Sequence, residues 1–341
     1  MKFEGFPFVI GFELTLACNL RCKHCASSAG RPRVNELSLN EILNICDQFP
    51  DLLVQEVDFT GGEPLLHSEW ARIAIHLHKL NIPVRMVSNG ILLKDNISRI
   101  VDSGIATFGI SIDGLESTHD HIREKPGLFK QIISGVEAAL AADIPIAVIT
   151  AVNNHNVGEL PQLYTILHGL GVRLWQVQPI FSRGRAQEEK LHLSESSFLE
   201  MGEFVHSHVT GCDSVGFNMM PADGVGYFTE LDTRNTAWQG CAAGMATCGI
   251  TADGKVKGCL SFPDHLVEGD LRKQDLWSIW FDKTSFIYNR RFLLEDLGEN
   301  CTNCEFGEQC RGGCSVMSYT ATQQFHNNPY CFHRILSHGH K

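Results

Sequence analysis

Long apolar runs are missing from this chain of 341 residues. The one apolar stretch near its start, Phe6 to Leu16, is broken by Glu13. It falls far short of the roughly 20 residues that a membrane helix needs. No basic segment followed by a small-residue cleavage site accompanies it, so it does not read as a secretion signal. A cytoplasmic protein with no membrane partner is expected. Positive charge is also scarce: 28 Lys and Arg face 39 Asp and Glu, a formal net charge of -11. That balance argues against nucleic acid or an anionic membrane, since both reward a basic face. Tandem repeats and low-complexity segments are absent. The remainder is ordinary for a soluble globular chain, with 43% hydrophobic and 20% charged residues. The length allows one large domain and a smaller one.

Cysteine is what the chain has in excess, with 13 residues. In a reducing compartment so many thiols point to metal binding or catalysis rather than to disulfides. Three form the run "ACNLRCKHCA": Cys18, Cys22 and Cys25. Eight more lie between Cys241 and Cys331. Cys46 falls on the apolar stripe of a predicted helix and reads as a buried thiol. Cys212 stands alone in a glycine-containing stretch.

The first two thirds of the chain alternate strand and helix. Apolar runs predict strands at 9–16, 54–59, 84–88, 106–112, 144–152 and 172–180. Amphipathic stretches predict helices at 38–49, 94–102, 129–142, 159–167 and 194–209, and one opening at Ser68. Ser38 and Glu41 form a capping box. Six strand–helix units imply a parallel sheet, curled into an open, partial (β/α)6 barrel of the TIM type. After about Thr210 periodicity fades. Only 277–287 suggests a short helix, and metal clusters would stand in for a core.

Three thiolates leave one metal position without a protein ligand. Open positions are where substrates or cofactors bind, and the loop follows the first strand, where parallel barrels place their chemistry. "CNLRCKHC" resembles the cluster loop of radical S-adenosylmethionine (SAM) enzymes. In that family, three cysteines hold a [4Fe–4S] cluster whose open iron binds SAM, and SAM is cleaved to a 5′-deoxyadenosyl radical. A zinc site with a distant fourth ligand is the alternative for this string alone.

Further strings match the family at the ends of successive strands. "TGGEP" resembles its motif for the SAM amino group, implying roles for Gly61, Gly62, Glu63 and Pro64. The two glycines let backbone approach a ligand closely. "SNG" supplies Ser88, though it also reads as a turn. "SIDG" supplies Ser111 and Asp113, which share one side of a strand; an Asp-Gly turn is the other reading. "HDHIREKPGLF" places Arg123, which can pair with a carboxylate. His24 occupies a position that is often aromatic beside the adenine; it also suits a metal ligand or a surface histidine. Gln176 and Gln178 share a face of the sixth strand, and Gln178 is placed at the barrel mouth. Arg183 and Arg185 in "SRGRA" can bind a substrate carboxylate or pair within the fold.

The later cysteines are similar to the SPASM pattern of auxiliary-cluster domains, with "CAAG" and "ADGKVKGC" adding to the match. The resemblance implies one cluster on Cys241, Cys248, Cys259 and Cys314 and another on Cys301, Cys304, Cys310 and Cys331. Spacing alone would put Cys301, Cys304, Cys310 and Cys314 together. Two zinc ribbons are the alternative. The implied cofactors are SAM and three [4Fe–4S] clusters. The implied division is a radical SAM partial barrel over 8–209, a connecting segment over 210–240 and a SPASM domain over 241–335.

Members of this branch mostly modify peptides or proteins, by cross-linking, epimerisation, excision or oxidation. A peptide or protein substrate is therefore expected, with a flavodoxin or ferredoxin as electron donor. The chain begins almost at its first strand, so a leader peptide would need a separate recognition protein or direct binding. Sulfatase-maturating members usually have Asp after the cysteine matching Cys259. Leu260 stands there, which speaks against that activity. The second reading is a small-molecule enzyme that decarboxylates or oxidises a tetrapyrrole side chain. Outside this chemistry, an electron-transfer protein or a zinc-stabilised binding protein would use the same cysteines.

Overall fold

In the computed structural model, which describes residues 5–180, 182–209, 216–222, 225 and 239–338, the chain builds one ten-stranded sheet. Its strands are β1 (Val9–Thr15), β2 (Glu56–Gly61), β3 (Val84–Ser88), β4 (Thr107–Ser111), β5 (Ile146–Val152), β6 (Leu174–Pro179), β7 (Asn218–Pro221), β8 (Thr247–Ile250), β9 (Lys255–Lys257) and β10 (Gly269–Asp270). The order is β10-β9-β8-β1-β2-β3-β4-β5-β6-β7. Every pair from β8 through β1 to β7 is parallel. Among the described residues the two ends of the sheet are not paired to each other, and the TIM-like barrel is open there.

All six predicted strands form, each within two residues of the predicted ends. Their helices are α1 (Leu39–Cys46), α2 (Trp70–Lys79), α3 (Ile97–Ser103), α4 (Glu116–Arg123), α5 (Leu128–Ala141), α6 (Leu160–Gly169), α7 (Arg185–Glu188) and α8 (Glu195–Val209). The capping box at α1 is present: Ser38 Oγ accepts from the Glu41 N–H, and the Glu41 carboxylate accepts from the Ser38 N–H. Ser68 does not cap α2, which starts at Trp70 with Glu69 before it and no side-chain cap. The third helix begins later than predicted, because Lys94–Asn96 forms a separate 3-10 turn. It ends, as predicted, at Gly104 with φ 71°.

Two elements connect what the sequence separates. β7 extends the parallel run beyond β6. β8 pairs with β1 from Val9↔Thr247 to Phe12↔Ile250, so the cysteine-rich C-terminal part is hydrogen-bonded into the barrel sheet. That part carries α9 (Leu276–Phe281), α10 (Ile287–Arg290), α11 (Gly307–Cys310), α12 (Ser315–Thr322) and α13 (Phe332–His338). The helix predicted over 277–287 is therefore two short ones. Asp282 breaks it, its carboxylate accepting from the Thr284 N–H at 2.7 Å in a local turn. The core lies on one face of the sheet, with Phe12, Phe59, Phe108 and Trp175 fully buried there, while the alternate residues of the strands face the lumen. Cys46 is buried within it on α1, as predicted. Cys212 lies outside the described residues, as does most of the connecting segment. No helix among the described residues is long and apolar enough to cross a membrane.

Candidate active site

β1 delivers the chain into the cysteine loop, and Glu36 fastens the entry. Its carboxylate accepts from Thr15 Oγ1 and from the Leu16 and Arg33 N–H groups, all near 2.9 Å. The loop closes on itself through Cys18 N–H to the Gly30 carbonyl and Gly30 N–H to the Leu16 carbonyl. Donors then converge on the sulfurs. The Leu20 and Ala29 N–H groups each lie 3.4 Å from a sulfur, of Cys18 and Cys25 respectively. Asn89 Nδ2 stands 3.8 Å from Cys18 Sγ, and the Arg123 guanidinium 4.0 Å from Cys22 Sγ. Burial pushes the Cys22 thiol up to about 11, with the charges on Cys25 and Cys18 adding to the rise. Buried, crowded thiols of this kind ionise when a metal supplies the compensating positive charge. The trio thus fits a metal cluster with an open position.

The glycines of "TGGEP" do more than admit a ligand. A Cβ on Gly61, whose φ is 144°, would stand 2.1 Å from the Thr15 carbonyl oxygen. A Cβ on Gly62 would stand 2.1 Å from that of Ala17. The Gly62 and Glu63 N–H groups donate to these same two carbonyls at 2.8 Å. The end of β2 is therefore laid directly on the cysteine loop. Glu63 is fully buried, and its carboxylate accepts from Ser88 Oγ and from the Leu65 and Asn89 N–H groups. Burial raises its pKa, against the pull of these donors. Three of about four acceptor positions are filled, which leaves one for an external ammonium. Pro64 is buried at the start of a 3-10 turn, and Ser88 is turned onto Glu63.

Asp113, just past β4, gathers the next group. Its Oδ2 lies 2.7 and 2.8 Å from Arg123 and 3.2 Å from His24 Nε2, while Oδ1 accepts from the Ala151 N–H. Burial alone would raise this carboxyl, but Arg123 and then His24 outweigh it and hold it far below the usual range. The Asp113 N–H donates to His119 Nδ1, and the Asn156 side-chain amide donates to the Asp113 carbonyl. The Nδ1 atom of His24 is buried without a hydrogen-bond partner.

A cavity of about 610 Å³ fills the barrel lumen. His24, Cys25, Gly61, Ser111, Asp113, Arg123 and Gln178 line it, together with Asp58 and Arg85 deeper in. Gln178 accepts from Gln176 at 3.0 Å. Cys18, Cys22, Gly62, Glu63, Pro64 and Ser88 are not among the residues that line it. Arg183 and Arg185 are engaged within the fold. Arg185 donates to the Cys22 and Ala29 carbonyls, and Arg183 donates to the Ser261 carbonyl at 2.7 Å. Gly184 permits this clamp, since a Cβ there would lie 2.5 Å from the Ala26 carbonyl oxygen. Of the two roles expected for Arg183 and Arg185, the structure shows pairing within the fold; the sequence reading missed Asn89, which bridges Asn19 and Cys18 from inside "SNG".

The C-terminal thiols separate into two places. Cys248 and Cys259 line the main cavity, as Cys25 does. Cys241 is pulled down to about 7, first by a hydrogen bond from Cys314 and then by Ser315. Cys301, Cys304, Cys310 and Cys331 together line a second cavity of about 200 Å³. Burial raises Cys301 to about 11 and Cys310 to about 12. Among the described residues no disulfide forms. Nor do three His, Cys, Asp or Glu side chains there close on a single metal ion; these four thiols ring a cavity instead. Leu260 packs over Gly11 and Gly249, at 3.2 and 2.9 Å from where their Cβ atoms would be. That stretch of wall carries no carboxylate.

Comparison with known proteins agrees with this arrangement. Residues 12–167 match the model of the radical SAM superfamily, and residues 241–305 match SPASM, an iron–sulfur cluster-binding domain. The AdoMet-dependent heme synthase of Methanosarcina barkeri is 28% identical, over 96% of this chain and 97% of that one. The mycofactocin maturase MftC of Mycobacterium ulcerans is 26% identical, over 92% and 84%. Among solved structures, Streptococcus suis SuiB bound to its precursor peptide SuiA superposes with a TM-score of 0.80 at 17% identity, over 97% of this chain and 77% of that one. The anSMEcpe structure with bound AdoMet gives 0.75 at 14% identity, over 98% and 97%. At these identities the structural likeness concerns the fold.

Proposed function

Because the chain belongs to the radical SAM superfamily and carries a SPASM iron–sulfur domain, we propose that it cleaves SAM reductively and takes a hydrogen atom from a peptide or protein substrate, installing a modification there. The observation that carries this reading is the position of the open trio. Three cysteines approached by backbone and side-chain donors sit past the end of β1, and one of them, Cys25, lines the lumen cavity together with Cys248 and Cys259 of the C-terminal part.

In this reading Cys18, Cys22 and Cys25 hold the first cluster. Cys241, Cys248, Cys259 and Cys314 hold a second, and Cys301, Cys304, Cys310 and Cys331 a third. The hydrogen bond between Cys241 and Cys314 supports the first of these sets, and the shared cavity supports the other. Bound at the trio, the cluster and SAM together supply the 5′-deoxyadenosyl radical. The protein's own residues bind, orient and shield. Glu63 offers its remaining acceptor position to the SAM ammonium. Gly61, Gly62, Pro64 and Ser88 fix that carboxylate against the cluster loop. His24, Ser111, Asp113 and Gln178 shape the wall on which the nucleoside part rests. Arg123 keeps Asp113 ionised and adds positive charge beside Cys22. A flavodoxin or ferredoxin would deliver the electron, and a separate protein could present the peptide leader.

The charge of the cavity favours a peptide over a tetrapyrrole. Arg85 is paired with Asp58 and Glu56, and Arg123 with Asp113. The two lining arginines are thus committed, while a haem precursor brings several carboxylates to be neutralised. The tetrapyrrole reading retains one observation in its favour, the end-to-end match to proteins named AdoMet-dependent heme synthase. The test is anaerobic turnover with candidate peptides and with a propionate-bearing tetrapyrrole. The proposal expects 5′-deoxyadenosine and a mass-shifted peptide to appear together. Turnover confined to the tetrapyrrole would establish the second reading.

A further inference from the structure

Several buried side-chain polar atoms lack a hydrogen-bond partner, and one of them, on Tyr288, stands beside a C-terminal cysteine. The hydroxyl of Tyr288 is enclosed by protein and has no hydrogen-bond partner. An orphan of this kind is rare in folded proteins and calls for an explanation. The ring cannot swing away to find water. It stacks on Phe325 at 4.7 Å between centroids and meets Phe262 edge-on at 5.3 Å.

The hydroxyl is aimed at the first C-terminal thiol set. It lies 2.1 Å from where a Cβ on Gly258 would be, and Gly258 immediately precedes Cys259. Burial is the main reason its own proton is held tightly, with negative charge on Glu268, Cys241 and Cys259 adding to that hold. The neighbouring residues of α10 fasten the same place. Asn289 donates to the Ala243 carbonyl at 2.7 Å and accepts from Ser315, the residue after Cys314. Arg290 donates to the Gly244 carbonyl, and its charge acts on Cys248. One short helix therefore holds the chain just after Cys241 and just after Cys314, and lies against Gly258 just before Cys259. Within it the Tyr288 hydroxyl is buried without a hydrogen-bond partner.

We propose that the Tyr288 hydroxyl donates a hydrogen bond to a sulfur of the iron–sulfur cluster held by Cys241 and Cys259, and that this bond raises the cluster's reduction potential. The inference rests on the assignment of those cysteines as ligands under Proposed function. Its physical basis is general. A donor at a cluster sulfur stabilises the reduced form, which is more negative, and so shifts the potential upward. Tyr288 acts through the cluster and is a positioning and tuning residue.

The test is an anaerobic redox titration of the reconstituted holoenzyme, followed by electron paramagnetic resonance, with wild type, Tyr288→Phe and Cys259→Ala. Tyr288→Phe should retain its iron and move one reduction wave to a more negative potential, leaving the others in place. Waves that coincide with wild type at equal iron content would overturn the inference alone. Iron content unchanged in Cys259→Ala would overturn the ligand assignment, and the inference with it. Should Tyr288→Phe lose its iron, the full-length enzyme made with fluorotyrosine supplies the second measurement. The more acidic phenol is a stronger donor, so the wave that vanishes in Cys259→Ala should move to a higher potential. An unmoved wave would overturn the inference.

Discussion

Arg123 closes on Asp113 with two contacts of 2.7 and 2.8 Å, and both side chains are buried at the lumen wall. α4 supplies the cation and the end of β4 the anion, so the pair ties a helix to the strand that ends in "SIDG". The same guanidinium reaches toward Cys22. One arginine thus links the lumen wall to the cysteine loop.

Breaking this pair should be costly. Arg123→Met leaves a carboxylate buried without its partner, which typically costs about 3–5 kcal/mol. Urea denaturation of the apoprotein measures it. A loss below about 1 kcal/mol, the range of exposed pairs, would contradict the role assigned to Arg123.

Gly62→Ala should disable the first cluster site without unfolding the others. The added Cβ would fall 2.1 Å from the Ala17 carbonyl oxygen, where backbone must move and the cysteine loop with it. Iron content after reconstitution should drop to that of Cys22→Ala. Wild-type iron content in Gly62→Ala would show that the loop tolerates the shift.

The two C-terminal thiol sets should lose iron independently. Cys241→Ala combined with Cys314→Ala should lose no more iron than Cys241→Ala alone. Cys241→Ala combined with Cys301→Ala should lose about twice as much, since independent sites are additive. The opposite pattern would move Cys314 into the other set.

Stability should fall as acid titrates the unfolded chain. Burial, helped by Arg123, lowers His119 to about 3. An unfolded histidine titrates near about 6.5, so between these values the unfolded state binds a proton that the folded state refuses. The resulting stability is fully present above about pH 6.5 and is lost as pH falls toward 3. Urea midpoints of the apoprotein at pH 7 and pH 5 should differ less in His119→Gln, which keeps an acceptor for the Asp113 N–H and does not titrate. Equal differences in variant and wild type would remove His119 from the account.

The barrel was legible because its strands are apolar runs separated by amphipathic helices, and the cysteine loop because three thiols follow the first of them. β7 and β8 were not. "NMMP" and "TCGI" are four residues each, too short for alternation to register, and only pairing with β6 and β1 makes them strands. α4 was hidden for a different reason. Its buried face consists of His119, Ile122 and Arg123, so its apolar signal is a single residue. The behaviour of Glu63 and Arg185 was beyond sequence as well. Both carry charge that suits a ligand; Glu63 spends much of it on the N–H groups of Leu65 nearby and Asn89 far along the chain, and Arg185 on the distant Cys22 and Ala29 carbonyls.

The most direct test of the central claim is SAM cleavage. Enzyme reconstituted with iron and sulfide without oxygen, then given dithionite and SAM, should form 5′-deoxyadenosine detectable by mass spectrometry. Cys22→Ala should form none. Equal amounts from wild type and Cys22→Ala, or no SAM binding by iron-loaded wild type in a direct titration, would contradict the account.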